Sequence, residues 1–280
     1  MADAQRSLRD LHDPLAVLAF SGWNDAGSAA TDALGHLLDL SGATRVFSLD
    51  SDDFYDFQVH RPAVRRPRGG TRIIEWPSTD VWIGELCGRD VVLIIGPEPN
   101  LRWRSYVTSL ISVLRSARPS MVLLLGALLA DNAHTRPVPV TRTTANQELA
   151  ERLGLEAPSY EGPTGITGML ADHCHEAGFD TISLWAAVPH YVAQPPHPRA
   201  TQALLGRIED LTDLTIDLGD LPELVRAWDR GVAELINEDP ELAGYVASLE
   251  ADQDEADLPE ATGDAIAAEF QRYLRRRGDL

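Results

Sequence analysis

Between residues 14 and 190, short apolar runs rich in β-branched side chains alternate with segments whose apolar positions recur at helical spacing. This alternation constrains the chain most, because strands that are apolar along their whole length need cover on both faces and the intervening helices supply it. The expected class is α/β, a largely parallel sheet covered by helices. Leu15 to Phe20 reads as a buried strand, followed by a helix over Asn24 to Leu40 whose Ala30, Ala33, Leu34, Leu37 and Leu38 form one stripe. Arg45 to Leu49 is the next strand. Residues 51 to 80, which place Arg61, Arg65, Arg66, Arg68, Gly69 and Gly70 ahead of Thr71 to Trp76, read as an irregular excursion with a hairpin. Asp90 to Ile95 and Met121 to Leu125 are the expected central strands, and Thr181 to Val188 the last. Asn100 is expected to cap a helix striped by Trp103, Val107, Leu110, Ile111 and Leu114. Thr164 is expected to cap another, which carries Ile166, Met169, Leu170 and Cys174 and ends at Gly178; a short helix falls near Asn146 to Leu153.

The pattern changes near Asp210, which divides an α/β body, residues 1–210, from an acidic helical region, residues 211–280. Residues 209–280 hold 20 acidic and 6 basic side chains, against 23 and 18 in the rest of the chain. Pro222, Pro240 and Pro259 each sit where a first helical turn tolerates the missing N–H, so three helices are expected. Their stripes, Leu224, Trp228, Leu235 and Ile236, then Ile266, Phe270 and Leu274, need cover from the body or a neighbouring subunit. The expectation is a homo-oligomer. Glu250 to Asp257, acidic and poor in apolar residues, is expected to be exposed.

Composition removes several function classes. A net charge of -19 argues against a nonspecific nucleic-acid binder. All 24 basic residues are Arg, so Walker-type phosphate loops, Schiff-base chemistry and Ser-Lys dyads have no lysine to use. Cys87 and Cys174 form no paired motif, which leaves neither a disulfide framework nor a cysteine-rich zinc site. On a helix His173 and His175 would lie about 200° apart, so they cannot chelate together and no metal is expected. No basic apolar leader opens the chain, and the strongly apolar stretch Met121 to Ala130 falls far short of the roughly 20 residues that span a bilayer. A cytoplasmic protein without a membrane partner is expected.

Ligands of parallel sheets sit beyond the carboxyl ends of the strands, and the segments there are unusually polar. After the first strand, Asn24 and Asp25 stand at a helix start among Gly22 and Gly27, where they can cap the helix or leave N–H groups free for an anion. After Asp90 to Ile95 come Glu98, Asn100, Arg102 and Arg104; an arginine near a helix start opposes the macrodipole and needs Glu98, a neighbouring acidic loop or a bound anion as partner. Asp131 to Pro137 gathers acid, amide, His134 and guanidinium, either as an acid/base constellation or as bracing for a long loop. Tyr160 to Gly168, with Glu161 and Thr164, leads into another helix but fits no nucleotide fingerprint, and His190 ends the last strand. No Gly-x-Ser-x-Gly elbow is present.

Taken in order, Phe20 to Gly27 (FSGWNDAG), Gly96 to Asn100 (GPEPN), Glu161 to Ile166 (EGPTGI) and Val188 to Tyr191 (VPHY) resemble the PAC2 family, proteins similar to proteasome assembly chaperone 2. The resemblance implies a three-layer α/β/α fold similar to nucleoside phosphorylases and hydrolases, with self-association, a trimer first by fold analogy. It also implies binding to proteasome α-subunits, in archaeal and eukaryotic members through a C-terminal hydrophobic-Tyr-any tail. This chain ends Arg277, Gly278, Asp279, Leu280, which departs from that tail, with Tyr273 and Leu274 set further inside. An ATP-grasp ligase label attached to other relatives calls for lysines this chain does not have, so no cofactor is expected. Two functions follow. The first is a non-enzymatic assembly-chaperone-like or interaction protein; the alternative is a small-molecule binder or enzyme whose Glu98, Arg102, His134, Glu161, Thr164 and His190 converge on one pocket beside Asn24, Asp25 and Asn100.

Overall fold

The computed structural model describes residues 6–67 and 70–257. Its strands are β1 Leu15–Ser21, β2 Thr44–Ser48, β3 Ala63–Arg65, β4 Ile73–Glu75, β5 Asp80–Leu86, β6 Arg89–Pro97, β7 Met121–Ala130, β8 Val140–Thr143 and β9 Thr181–Pro189. Seven of them form one sheet in the order β2-β5-β6-β1-β7-β9-β8, while β3 and β4 pair separately. The inner four, β6, β1, β7 and β9, run parallel; β5 is antiparallel to β6, β2 to β5, and β8 to β9.

Period-two geometry explains the apolar runs. Along β1, Leu15, Val17 and Ala19 enter the core on one face and Ala16, Leu18 and Phe20 the core on the other. The first face is covered by α1 Ala29–Leu40 and α6 Pro198–Thr212, the second by α3 Trp103–Ala117 and α5 Ile166–Glu176. The chain is therefore a mixed α/β protein with a mostly parallel central sheet between helical layers, as expected.

Several boundaries differ from the sequence reading. Helix α1 starts at Ala29 rather than Asn24, after a tight turn over Ala26–Ser28. The excursion holds the short α2 Ser51–Phe54 and the β3-β4 hairpin; Arg68 and Gly69 lie outside the described residues. Strands β5 and β8 were not anticipated, and β7 runs to Ala130 instead of Leu125. Gly126 lies inside the extended strand, where a Cβ would meet the Trp185 ring at 2.5 Å, so the glycine seats the indole of the neighbouring strand. The short helix near Asn146 is α4 Gln147–Leu153, capped by the Asn146 side chain, which accepts the Leu149 N–H.

In the acidic region, α7 Leu221–Glu238 and α8 Pro240–Asp257 carry Pro222 and Pro240 in their first turns. The third helix, with Pro259, Ile266, Phe270 and Leu274, lies outside the described residues. Leu221 and Val232 of α7 are buried, whereas Leu224 and Leu235 of the expected stripe stay exposed. Glu250 to Asp254 is exposed or half-buried, and the stretch continues α8, with Glu250, Gln253 and Asp254 bonding the loop after β7. Among the described residues no helix is long and apolar enough to cross a membrane.

Candidate functional site

The loops after β1, β6, β7 and β9 leave the sheet along one edge, because these four strands are parallel. In the first loop Asp25 is a cap: one carboxylate oxygen accepts the Ala30 N–H at 2.8 Å and the other the Thr31 hydroxyl at 2.5 Å. Burial nevertheless pushes its carboxyl pKa up, against those hydrogen bonds. Asn24 is buried and donates Nδ2 to the Phe20 carbonyl at 2.6 Å, while its Oδ1 has no partner. Gly27, at φ 61°, lies against α6, where a Cβ would meet His197 Cβ at 2.6 Å; its carbonyl accepts the His197 N–H at 2.9 Å.

The second loop meets the first and the entry to α5. Glu98 N–H donates to the Ser21 carbonyl at 2.8 Å, and Glu98 Oε1 accepts the Ile166 N–H at 2.7 Å. A carboxylate of this chain thus occupies the positive end of α5, the place where sequence reasoning put Thr164 as a cap. Thr164 does not cap: the N-cap is Gly165, whose extended backbone lets Asn24 Oδ1 and Glu98 Oε1 approach to 2.8 and 3.0 Å from where a Cβ would stand. Glu161 is exposed on the same loop. Asn100 does not cap α3 either; its Oδ1 accepts the Asp56 N–H at 3.0 Å and lies 2.8 Å from His60 Nδ1, tying the excursion to the body. The N-cap of α3 is Arg102 in the left-handed region, φ 53°, and its guanidinium pairs with exposed Asp53 on α2. Of the three partners expected for Arg102, the neighbouring acidic loop is the one found, not Glu98.

The third neighbourhood lies where loop 131–139 meets the segment after β9. The His134 N–H donates to Tyr191 Oη at 2.8 Å, and His134 Nδ1 stands 2.9 Å from the same oxygen. Burial, then the Arg199 guanidinium, lowers the His134 pKa. Arg199 donates to the His134 carbonyl at 2.6 Å and pairs with Asp229 at 2.5 Å. His190 Nδ1 lies 3.1 Å from Asp131 Oδ1, with the Tyr245 ring of α8 stacked edge-on beside it. Helix α8 closes over this loop: Asp254 holds the Arg136 fork at 2.6 and 2.7 Å, and Gln253 accepts the Ala133 N–H at 3.1 Å.

Seven of the nine expected site residues fall, by their contacts, into three neighbourhoods, while Glu161 and Thr164 stay exposed on the loop before α5. Asn24 and Glu98 meet at Gly165, with Asp25 beside them in sequence; Asn100 and Arg102 hold the excursion; His134 and His190 meet through Tyr191 and α8. Sequence reading passed over His197 and Arg199. His197 is completely buried, accepts the Ala200 N–H on Nδ1 at 3.1 Å, and packs 4.4 Å from the Trp228 ring centre. The signal for it was His-Pro at a helix start, an N-cap followed by proline at the first helical position. Large apolar side chains stay exposed along the same edge, among them Trp23 at 70%, Leu129 at 56% and Tyr160 at 70%.

A family model described as the PAC2 family matches residues 19–236. A crystal structure of a PAC2 family protein from Streptomyces avermitilis is 50% identical, covering 84% of this chain and 100% of that one at a TM-score of 0.79. A Mycobacterium tuberculosis protein described as a proteasome-assembly chaperone homologue is 46% identical over 83% of this chain and 99% of its own, at a TM-score of 0.75. Pyrococcus furiosus PbaA, described as an archaeal homolog of proteasome-assembly chaperone, is 15% identical over 87% of this chain and 96% of its own, with a TM-score of 0.57, and shares the fold. No curated protein matches significantly.

Proposed function

The chain belongs to the PAC2 family, and from that premise we propose that it is a non-enzymatic, assembly-chaperone-like protein that holds other protein surfaces against its strand-end edge. The carrying observation is a contrast on that edge. Asp25, Glu98, His134 and His190 are tied into caps and loop braces, while Trp23, Leu129 and Tyr160 face solvent. A side chain that caps a helix cannot cycle protons on a substrate without unmaking its bond. Exposed aromatic and aliphatic side chains rimmed by polar ones are what a protein partner covers.

Proteasome α-subunits are the proposed acceptor, supported by the 46% identity to the Mycobacterium tuberculosis protein described as a proteasome-assembly chaperone homologue. That assignment brings a cytoplasmic location with it and calls for no cofactor. Contact runs through the strand-end edge of the 1–210 body rather than through Gly278 to Leu280, with the 211–280 region as an accessory. Self-association, a trimer first, is part of the same reading, since Leu224 and Leu235 of α7 add uncovered apolar surface. Native mass spectrometry of the chain mixed with purified proteasome α-subunits tests it. The expected result is a mixed complex that survives deletion of Gly278 to Leu280 and is lost in Trp23→Ser. A monomer of 30.6 kDa that forms no complex at any ratio would overturn the reading.

A further inference from the structure

Around Gly165 the strand-end edge carries hydrogen-bond acceptors with too few donors. Asn24 is 1% exposed, and with Nδ2 committed to the Phe20 carbonyl its Oδ1 is a buried carbonyl oxygen that nothing satisfies. Glu98 Oε1, converging on the same point, takes only the Ile166 N–H, and among the described residues the half-buried carboxylate has no cation paired with it. Tyr106, almost wholly buried, feels the charge of this carboxylate, which also faces the amino end of α5 through the Ile166 N–H. The third wall is Trp23, whose Cε3 lies 3.4 Å from the same point while most of the indole stands in solvent. An unsatisfied carbonyl, an unpaired carboxylate and an exposed π face all lack the same thing, a positively charged hydrogen-bond donor.

We propose that the Asn24–Glu98 notch recognises a protonated primary amine, with Asn24 Oδ1 and the Glu98 carboxylate accepting its N–H groups and the Trp23 ring covering the cation. The chain has no lysine, so a lysine ammonium at the notch can come only from another protein. Trp23, on the exposed loop, is the wall that moves to admit it, since Oδ1 is closed to solvent in the free chain. The site rests on the reading of this edge as an interaction surface and gives that surface its chemistry: an amino terminus or a lysine presented by a partner. A guanidinium, planar and broad, fits two oxygens that crowd one glycine less well than a compact ammonium does.

The test is an NMR titration of the full chain that follows the Ile166 amide and the Asn24 side-chain amide. Ethylammonium chloride is the probe, with tetramethylammonium chloride, a cation without N–H donors, and sodium chloride as controls. Shifts that saturate with ethylammonium alone, and an affinity at least about tenfold weaker in Glu98→Gln, which keeps the acceptor for Ile166, are expected. Peptides with a free α-amino group, the same group acetylated, and acetylated but carrying one lysine then tell a partner's amino terminus from its lysine. Linear, unsaturable shifts would mean that water alone fills the notch; equal binding of tetramethylammonium would mean a π contact alone. Either overturns the proposal. Should Glu98→Gln lower the melting temperature, the comparison of the two cations on the unaltered chain decides. Complexes with α-subunits that withstand saturating ethylammonium would remove the amine site and leave the interaction reading standing.

Discussion

The imidazole of His197 is completely buried at the start of α6, where Nδ1 must be unprotonated to accept the Ala200 N–H. Burial lowers its pKa to about 4, and the nearby Arg199 acts in the same direction. Because the folded pKa lies below the ordinary value near 6.5, the unfolded chain binds the proton first as pH falls. The stability this residue contributes is complete above about pH 6.5 and lost progressively down to about pH 4, by roughly 2 to 4 kcal/mol. His197→Asn keeps an N-cap acceptor and removes the titration, so urea melts should show its stability falling less between those pH values than that of the unaltered chain. Equal slopes would show that other groups dominate. Arg102 stands at the other extreme. Its pair with Asp53 leaves the two side chains 63% and 51% exposed, so Arg102→Ala should lower stability by less than about 1 kcal/mol, and phosphate should not shift the melting of either protein. A phosphate-dependent rise abolished by the substitution would restore an anion site at Arg102.

Among the elements, those buried on both faces were legible and those satisfied from a distance were not. Strands β1, β6, β7 and β9 read directly as continuous apolar runs. The end of β7, and β5 altogether, were lost because each holds a glycine, which in isolation signals a break. Both glycines are approach points: a Cβ on Gly84 would meet Ser41 at 2.8 Å, as one on Gly126 would meet Trp185. Helix starts failed for a related reason. Asn100 and Thr164 have the chemistry of caps, but α5 takes its carboxylate from Glu98, 68 residues earlier in the chain, and no local pattern encodes that. Helix α8 was legible as a helix yet not as a strap, since the loop residue that holds it, Arg136, lies more than a hundred residues away. Only Val246 and Leu249 are buried along its described length, so its docking rests heavily on Asp254, Glu250 and Gln253. Arg136→Ala should therefore speed cleavage by a Glu-specific protease at Glu241 and Glu250 while leaving the body intact, and added salt should do the same to the unaltered chain. Unchanged cleavage in both would mean that apolar contacts hold α8.

At the scale of the molecule, four parallel strands bring the family's motif segments to one edge, and the motif glycines are where these segments touch. Gly27 meets α6; Gly22 and Gly165 meet Glu98. The motifs therefore encode the construction of a shared surface, which is why each segment read alone suggested a separate ligand site. The sequence pointed to the edge but not to the division of its polar residues into three neighbourhoods, which depends on contacts between loops far apart in the chain. Hydrogen exchange read by mass spectrometry, comparing the free chain with the chain saturated by proteasome α-subunits, tests most directly whether this edge is the working surface. Slowed exchange is predicted at 21–28, 98–104 and 158–166, with the opposite edge of the sheet unchanged. Saturation that leaves those three segments exchanging as in the free chain would contradict the account.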